Sequence, residues 1–106
     1  MISRQWRGLA RAERADEYVQ HLRRDTFAQL ARIDGFVDAR ILRRPLQRGV
    51  EFLVVTRWES LDAIRRFAGA DAETAVVPEN VQQMMLDYDR RVAHYEEVYF
   101  ADVPSG

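Results

Sequence analysis

The run Phe52-Leu53-Val54-Val55 limits the possible folds of this chain more than any other feature, because it is apolar at four consecutive positions. Successive side chains of a strand point to opposite faces, so such a run belongs to a strand buried on both sides. The chain's own helices can cover one face, and the other needs a further layer. With 106 residues, the chain buries only roughly two thirds of the surface it exposes when unfolded, which leaves a thin core. A second copy of the chain is the simplest cover for the other face, and a homodimer is expected.

Around that strand the periodicity changes in a set order. Ile2 to Leu9 alternate loosely and read as a first strand. From Ala12 to Ile33 the period becomes helical: Ala15, Tyr18, Val19, Leu22, Leu30 and Ile33 form one stripe, with Glu13, Asp16 and Glu17 loading the early turns. Gly35 supplies the stop. Phe36 to Leu46 and Val50 to Trp58 flank a Pro45-to-Gly49 connection and predict a hairpin. Ser60 is a good N-cap for a second helix with Leu61, Ile64, Phe67 and Ala68 inward and Gly69 at its end. Pro78 suits the start of a short helix through Leu86, and Asp87 to Phe100 read as a last strand. The order β-α-β-β-α-β predicts an α+β, ferredoxin-like domain over residues 1–101, with a four-stranded antiparallel sheet and both helices on one face. Residues 102–106 read as a flexible tail.

Composition removes whole classes of chemistry. All 16 basic residues are arginine and there is no cysteine, which excludes Schiff-base lysines, thiol nucleophiles and thiolate metal sites. None of the three serines sits in a G-x-S-x-G elbow, and the five glycines form no phosphate loop. His21 and His94 are far apart and match no metal-binding spacing, so neither a metal nor a cofactor is expected. A net charge of −1 with dispersed charges offers no footprint for nucleic acid or a membrane. Charged Arg4 and Arg7 stand where a secretory leader would be apolar, and a cytoplasmic location is expected.

The segment Phe52 to Ser60, with Ala63-Ile64 and Phe67-Ala68-Gly69 after it, resembles the strand-to-helix passage of small antibiotic biosynthesis monooxygenase domains. Ile2 to Gly8, Ala75 to Pro78 and His94-Tyr95-Glu96 extend the resemblance over most of the chain. It implies a dimeric α/β barrel, with a pocket in each subunit between the sheet and its own helices. It also implies a choice among cofactor-independent oxygenases of phenolic rings, haem-degrading oxygenases and other small-molecule enzymes. The haem-degrading branch has an asparagine, a tryptophan and an iron-binding histidine at positions occupied here by Trp6, Phe67 and Val77. Valine cannot ligate iron.

On this reading the expected function is cofactor-independent oxidation of a small aromatic or phenolic substrate by O2. The alternative is a non-catalytic barrel that binds a small molecule, or a stress-related one. His94 is the expected proton acceptor, with Glu96 placed two residues on to orient it; the other possibility is a structural histidine. Asp71 is the second candidate base, or else a cap. The substrate-binding candidates are Arg4, Trp6, Phe67 and Tyr95. Arg4 either holds a phenolate or carboxylate or forms an ion pair with an acid such as Glu96. His21 reads as an ordinary solvent-facing or half-buried helical histidine.

Overall fold

Nine uninterrupted antiparallel pairs join β1 (Ile2–Ala10) to β3 (Val50–Trp58), from Ile2 opposite Trp58 to Ala10 opposite Val50. In this computed structural model, which describes residues 1–104, that pair is the spine of one antiparallel sheet. β2 (Phe36–Pro45) lies on the outer side of β3, while β4 (Met85–Tyr88) and β5 (Ala93–Glu96) both pair with the free side of β1. The helices cover one face and the sheet is open, so the expected α+β ferredoxin-like arrangement is present.

Local chemistry accounts for most boundaries. Ser60 Oγ accepts the Ala63 N–H at 3.1 Å and starts α3 (Leu61–Ala68), as its sequence position predicted. Gly35, at φ 95°, turns the chain into β2 and lies so close to α3 that an added Cβ would meet Ala63 Cβ at 2.5 Å. No other residue fits both conditions. The predicted short helix is α4 (Glu79–Met84), entered from Pro78.

Two elements differ from expectation. The first helix is not one regular stretch. A 3₁₀ turn (Ala12–Arg14) leads into α1 (Ala15–His21), followed by a π-helical turn (Leu22–Thr26) and α2 (Phe27–Leu30). A π turn carries more residues per revolution; Leu22, Thr26 and Leu30, spaced by four, all face the same side of this segment.

The last strand is broken as well. Between β4 and β5 the chain leaves β1 and bonds to the loop after α3: Ala75 N–H donates to Arg90 O at 3.0 Å and Val92 N–H to Glu73 O at 2.8 Å. Residues 97–100, expected to extend the strand, form none; Glu97 instead pairs with Arg57 at 2.9 Å and Phe100 lies under the same guanidinium. Of the expected tail 102–106, residues 102–104 are exposed and irregular, and Ser105 and Gly106 lie outside the described residues.

The core falls into two clusters on the helix side. Tyr18, Leu22, Phe52, Val81 and Met84 belong to one; Leu30, Trp58, Ala63 and Ile64 belong to the other. Along β3 the division is plain, because Phe52 and Val54 serve the first cluster, Trp58 the second, and polar Thr56 separates them. The opposite face is mixed rather than continuously apolar. Leu9, Leu42, Leu53 and Val55 alternate there with Arg7, Arg40, Arg44 and Glu51, and Arg57 binds Asp38.

Candidate active site

A cavity opens where the two clusters fail to meet. Its floor is Arg4 and Trp6 of β1 with Val54 and Thr56 of β3, and the irregular first helix forms its roof. Phe67 of α3 closes one end, and Val76 and Val77 of the connection to α4 form a side wall. The cavity itself is about 70 Å³, and about 580 Å³ when the open solvent at its mouth is counted.

Arg4 is the one charged side chain on this floor. It is only 5% exposed, and its guanidinium donates to the carbonyls of Ala72 and Thr74, the latter at 2.7 Å. Nη1 also lies 3.1 Å from His94 Nε2, and the group sits 5.8 Å from the Phe67 ring. No carboxylate lies within ion-pair distance among the described residues, so the ion pair with Glu96 considered from the sequence is absent. Burial draws the pKa of Arg4 down to about 10, which still leaves it charged near neutrality. A buried cation held only by neutral acceptors keeps most of its field for an incoming anion.

The break in the last strand makes this arrangement. By bonding to residues 90–92, the loop after α3 is drawn against β1, where its Ala72 and Thr74 carbonyls meet the guanidinium. β5 then resumes with His94 directly opposite Arg4.

Trp6 and Phe67, two of the substrate-binding candidates, line the cavity. Trp6 Nε1 donates to Asp89 O at 2.8 Å, and its indole lies across Gly8, where an added Cβ would fall 2.4 Å from the ring. Phe67 stacks on Trp58 at 6.2 Å. Tyr18 stands in the opposite wall, edge-on to Phe52 at 4.9 Å. Burial raises its pKa, so its phenol is neutral.

The remaining candidates lie elsewhere. His94 shares the helix side of the sheet with Arg4 but borders a separate shallow depression with Ile2, Glu59 and Glu96. Burial first, and the charge of Arg4 second, lower its pKa, so it is a neutral acceptor for the guanidinium. Tyr95 pairs with Ser3 on the other face of the sheet and is exposed. Asp71 is an exposed turn residue: it accepts the Glu73 N–H at 3.1 Å and pairs with Arg91 at 3.0 Å, and that hydrogen bond to Arg91 holds its carboxyl below the usual range. Neither reaches the cavity.

His21, which the sequence reading set aside, is in the cavity wall, with Nδ1 3.2 Å from Asp25 Oδ2. Nothing in its local sequence, beside Leu22 and followed by Arg23 and Arg24, marks it as a cavity residue.

An open antiparallel sheet with helices on one face, enclosing an apolar cavity with one buried cation, defines a ferredoxin-like domain with an internal pocket. The family model for antibiotic biosynthesis monooxygenases matches residues 1–79, and the chain belongs to that family. Among solved structures, the haem-degrading MhuD of Mycobacterium tuberculosis, described with two haems in its active site, is 20% identical with a TM-score of 0.66. That match covers 96% of this chain and 100% of the other. The ActVA-Orf6 monooxygenase of Streptomyces coelicolor, described in complex with nanaomycin D, is 17% identical with a TM-score of 0.66 over 98% and 92% of the two chains. A Bacillus cereus protein assigned as an antibiotic biosynthesis monooxygenase is 17% identical with a TM-score of 0.66 over 99% and 98%. At these identities the likeness shows the fold. A search of curated proteins finds no match.

Proposed function

We propose that this protein oxidises a small phenolic or aromatic ligand with O2 inside the cavity, and that it works in the cytoplasm as a homodimer. The observation that carries the proposal is the buried, carboxylate-free guanidinium of Arg4 in the floor of an otherwise largely apolar, aromatic-walled space. A phenol becomes reactive towards O2 once ionised, and a fixed cation in a water-poor site lowers the cost of that ionisation. In the conversion of a ring methylene to a carbonyl, one oxygen atom enters the product and the other leaves as water. The ligand itself supplies all the electrons, so the protein has only to bind, ionise and shield it.

A haem-degrading reading has less support: Val77, which the resemblance aligns with the iron ligand of that branch, lines the cavity with a side chain that has no donor atom.

Metal-free protein should consume oxygen in proportion to a bound phenolic substrate, and an oxygen electrode measures this. Tight binding of the anionic ligand without oxygen uptake would support the binding-protein alternative instead.

Membership of the family supports the dimer, as do the exposed apolar residues Leu42, Val98, Tyr99 and Val103. Light scattering should give twice the chain mass at micromolar concentration, with an interface on the order of 2,000 Å². A stable folded monomer would remove this part of the proposal.

A further inference from the structure

We infer that His21 is the group that takes the proton from a phenolic ligand in the cavity, with Asp25 as its positioning residue. The inference rests on the cavity reading above and adds the acid–base partner that reading needs. Of the two histidines, His94 is engaged by Arg4 and borders a different depression, whereas the His21 ring lines the cavity itself and its side chain is only 11% exposed.

Its placement has a structural cause. His21 is the last residue of α1, and the next five residues form the π-helical turn, an uncommon geometry that often marks functional sites. Asp25, four residues on, sets its carboxylate 3.2 Å from Nδ1. A carboxylate there favours the proton on Nδ1 and leaves Nε2 as the ring's acceptor. Four titratable or charged groups line or adjoin the same cavity: Tyr18 from its own helix, Asp25 from the turn, Arg4 from β1 and His94 behind Arg4. β3, α3, α4 and residues 76–77 present Val54, Thr56, Phe67, Val81, Val76 and Val77, none of which titrates.

The step is a proton transfer. The ligand O–H bond breaks, its electron pair stays on the phenolate oxygen, and the proton forms a bond to Nε2. Arg4 then faces an anion, and the new imidazolium lies beside Asp25. Both charges created in the cavity have an opposite charge waiting.

The test uses a chromophoric phenol at a pH where it is neutral in free solution, with its bound absorbance read together with the protons released to the buffer. In the wild-type protein the bound probe should absorb as phenolate with no net proton release, because His21 keeps the proton. In His21→Gln and His21→Asn the phenolate should be lost, or should form with about one proton released per probe bound. Asp25→Asn should move the ionisation of the bound probe to higher pH, and Asp25→Glu should restore it. Phenolate formation with the same proton balance in wild type and both His21 variants would overturn the assignment while leaving the cavity reading intact. Failure of the wild-type protein to bind the probe would overturn both. A hemin complex with a histidine-ligated spectrum that His21→Gln abolishes would make His21 an iron ligand instead and also overturn it.

Discussion

Replacing Arg4 with Met should weaken binding of an anionic phenolic ligand on the order of a hundredfold or more, while a neutral aromatic of the same shape loses much less. The cause is burial: Arg4 is 5% exposed and has no carboxylate within ion-pair distance among the described residues, so an anionic ligand would supply the opposite charge it lacks. Removing one side of a desolvated, hydrogen-bonded charge pair costs roughly 2–5 kcal/mol. The same substitution strips the donor from the Ala72 and Thr74 carbonyls. Each buried acceptor left unpaired costs about 1–3 kcal/mol, so a drop in folding stability should accompany the loss of affinity. Arg4→Lys separates the two effects. It keeps the charge, but a single ammonium does not reproduce the planar fork that reaches two carbonyls at once. Lys should therefore recover part of the anion affinity and little of the stability. Calorimetric titration with paired neutral and anionic ligands, together with denaturant unfolding, reads both. Equal losses for the neutral and the anionic ligand would mean that Arg4 only shapes the cavity.

The largest effect on folding is expected from Trp58→Ala. Trp58 is fully buried, meets Phe36 edge-on at 5.3 Å, stacks on Phe67 at 6.2 Å and donates from Nε1 to Thr56 Oγ1 at 2.8 Å. Truncating a buried Trp costs about 3–5 kcal/mol, and a domain of this kind has only about 5–15 kcal/mol in total. The variant should sit near its unfolding transition at room temperature. Its guanidinium midpoint should fall sharply without a change in slope. Trp58→Phe should recover most of the loss, because the edge-on contact survives and only the indole N–H and one ring are missing. A cost below about 1 kcal/mol would show that neighbouring side chains collapse into the space.

Elements set by local chemistry were legible in the sequence. The Ser60 cap and the left-handed turn at Gly35 both depend on neighbouring residues. The elements missed depend on distant backbone. Alternation from Asp87 to Phe100 is compatible with one long strand, and nothing local announces that residues 73–75 take over the hydrogen bonds of residues 90–92. The same event decided the site. Parity put Arg4 and Trp6 on one side of the sheet and left the face of His94 open, and the acceptors of Arg4 are carbonyls some 70 positions away, which no side-chain pattern encodes. Tyr95 failed on parity alone, since it is the immediate neighbour of His94 and necessarily faces the other way. His21 was passed over because it stands in a charged stretch before Arg23 and Arg24, where a solvent-facing or half-buried histidine is the ordinary case.

The long β1–β3 ladder has a consequence for folding fidelity. Arg4 and Trp6 of β1 serve the cavity and the residues beside them face the other way, so a slip of one position would exchange the pair for Ser3 and Gln5 or for Gln5 and Arg7. Misregistered chains would keep their hydrogen bonds and lose the chamber. The irregularities in the sheet fall outside this danger zone, at Phe36/Asp38 on one margin and at Leu9/Ala10 on the other. The ladder between β1 and β3 has none. The register shifts thus lie on the margins of the sheet, away from the β1–β3 pairs that set the cavity floor.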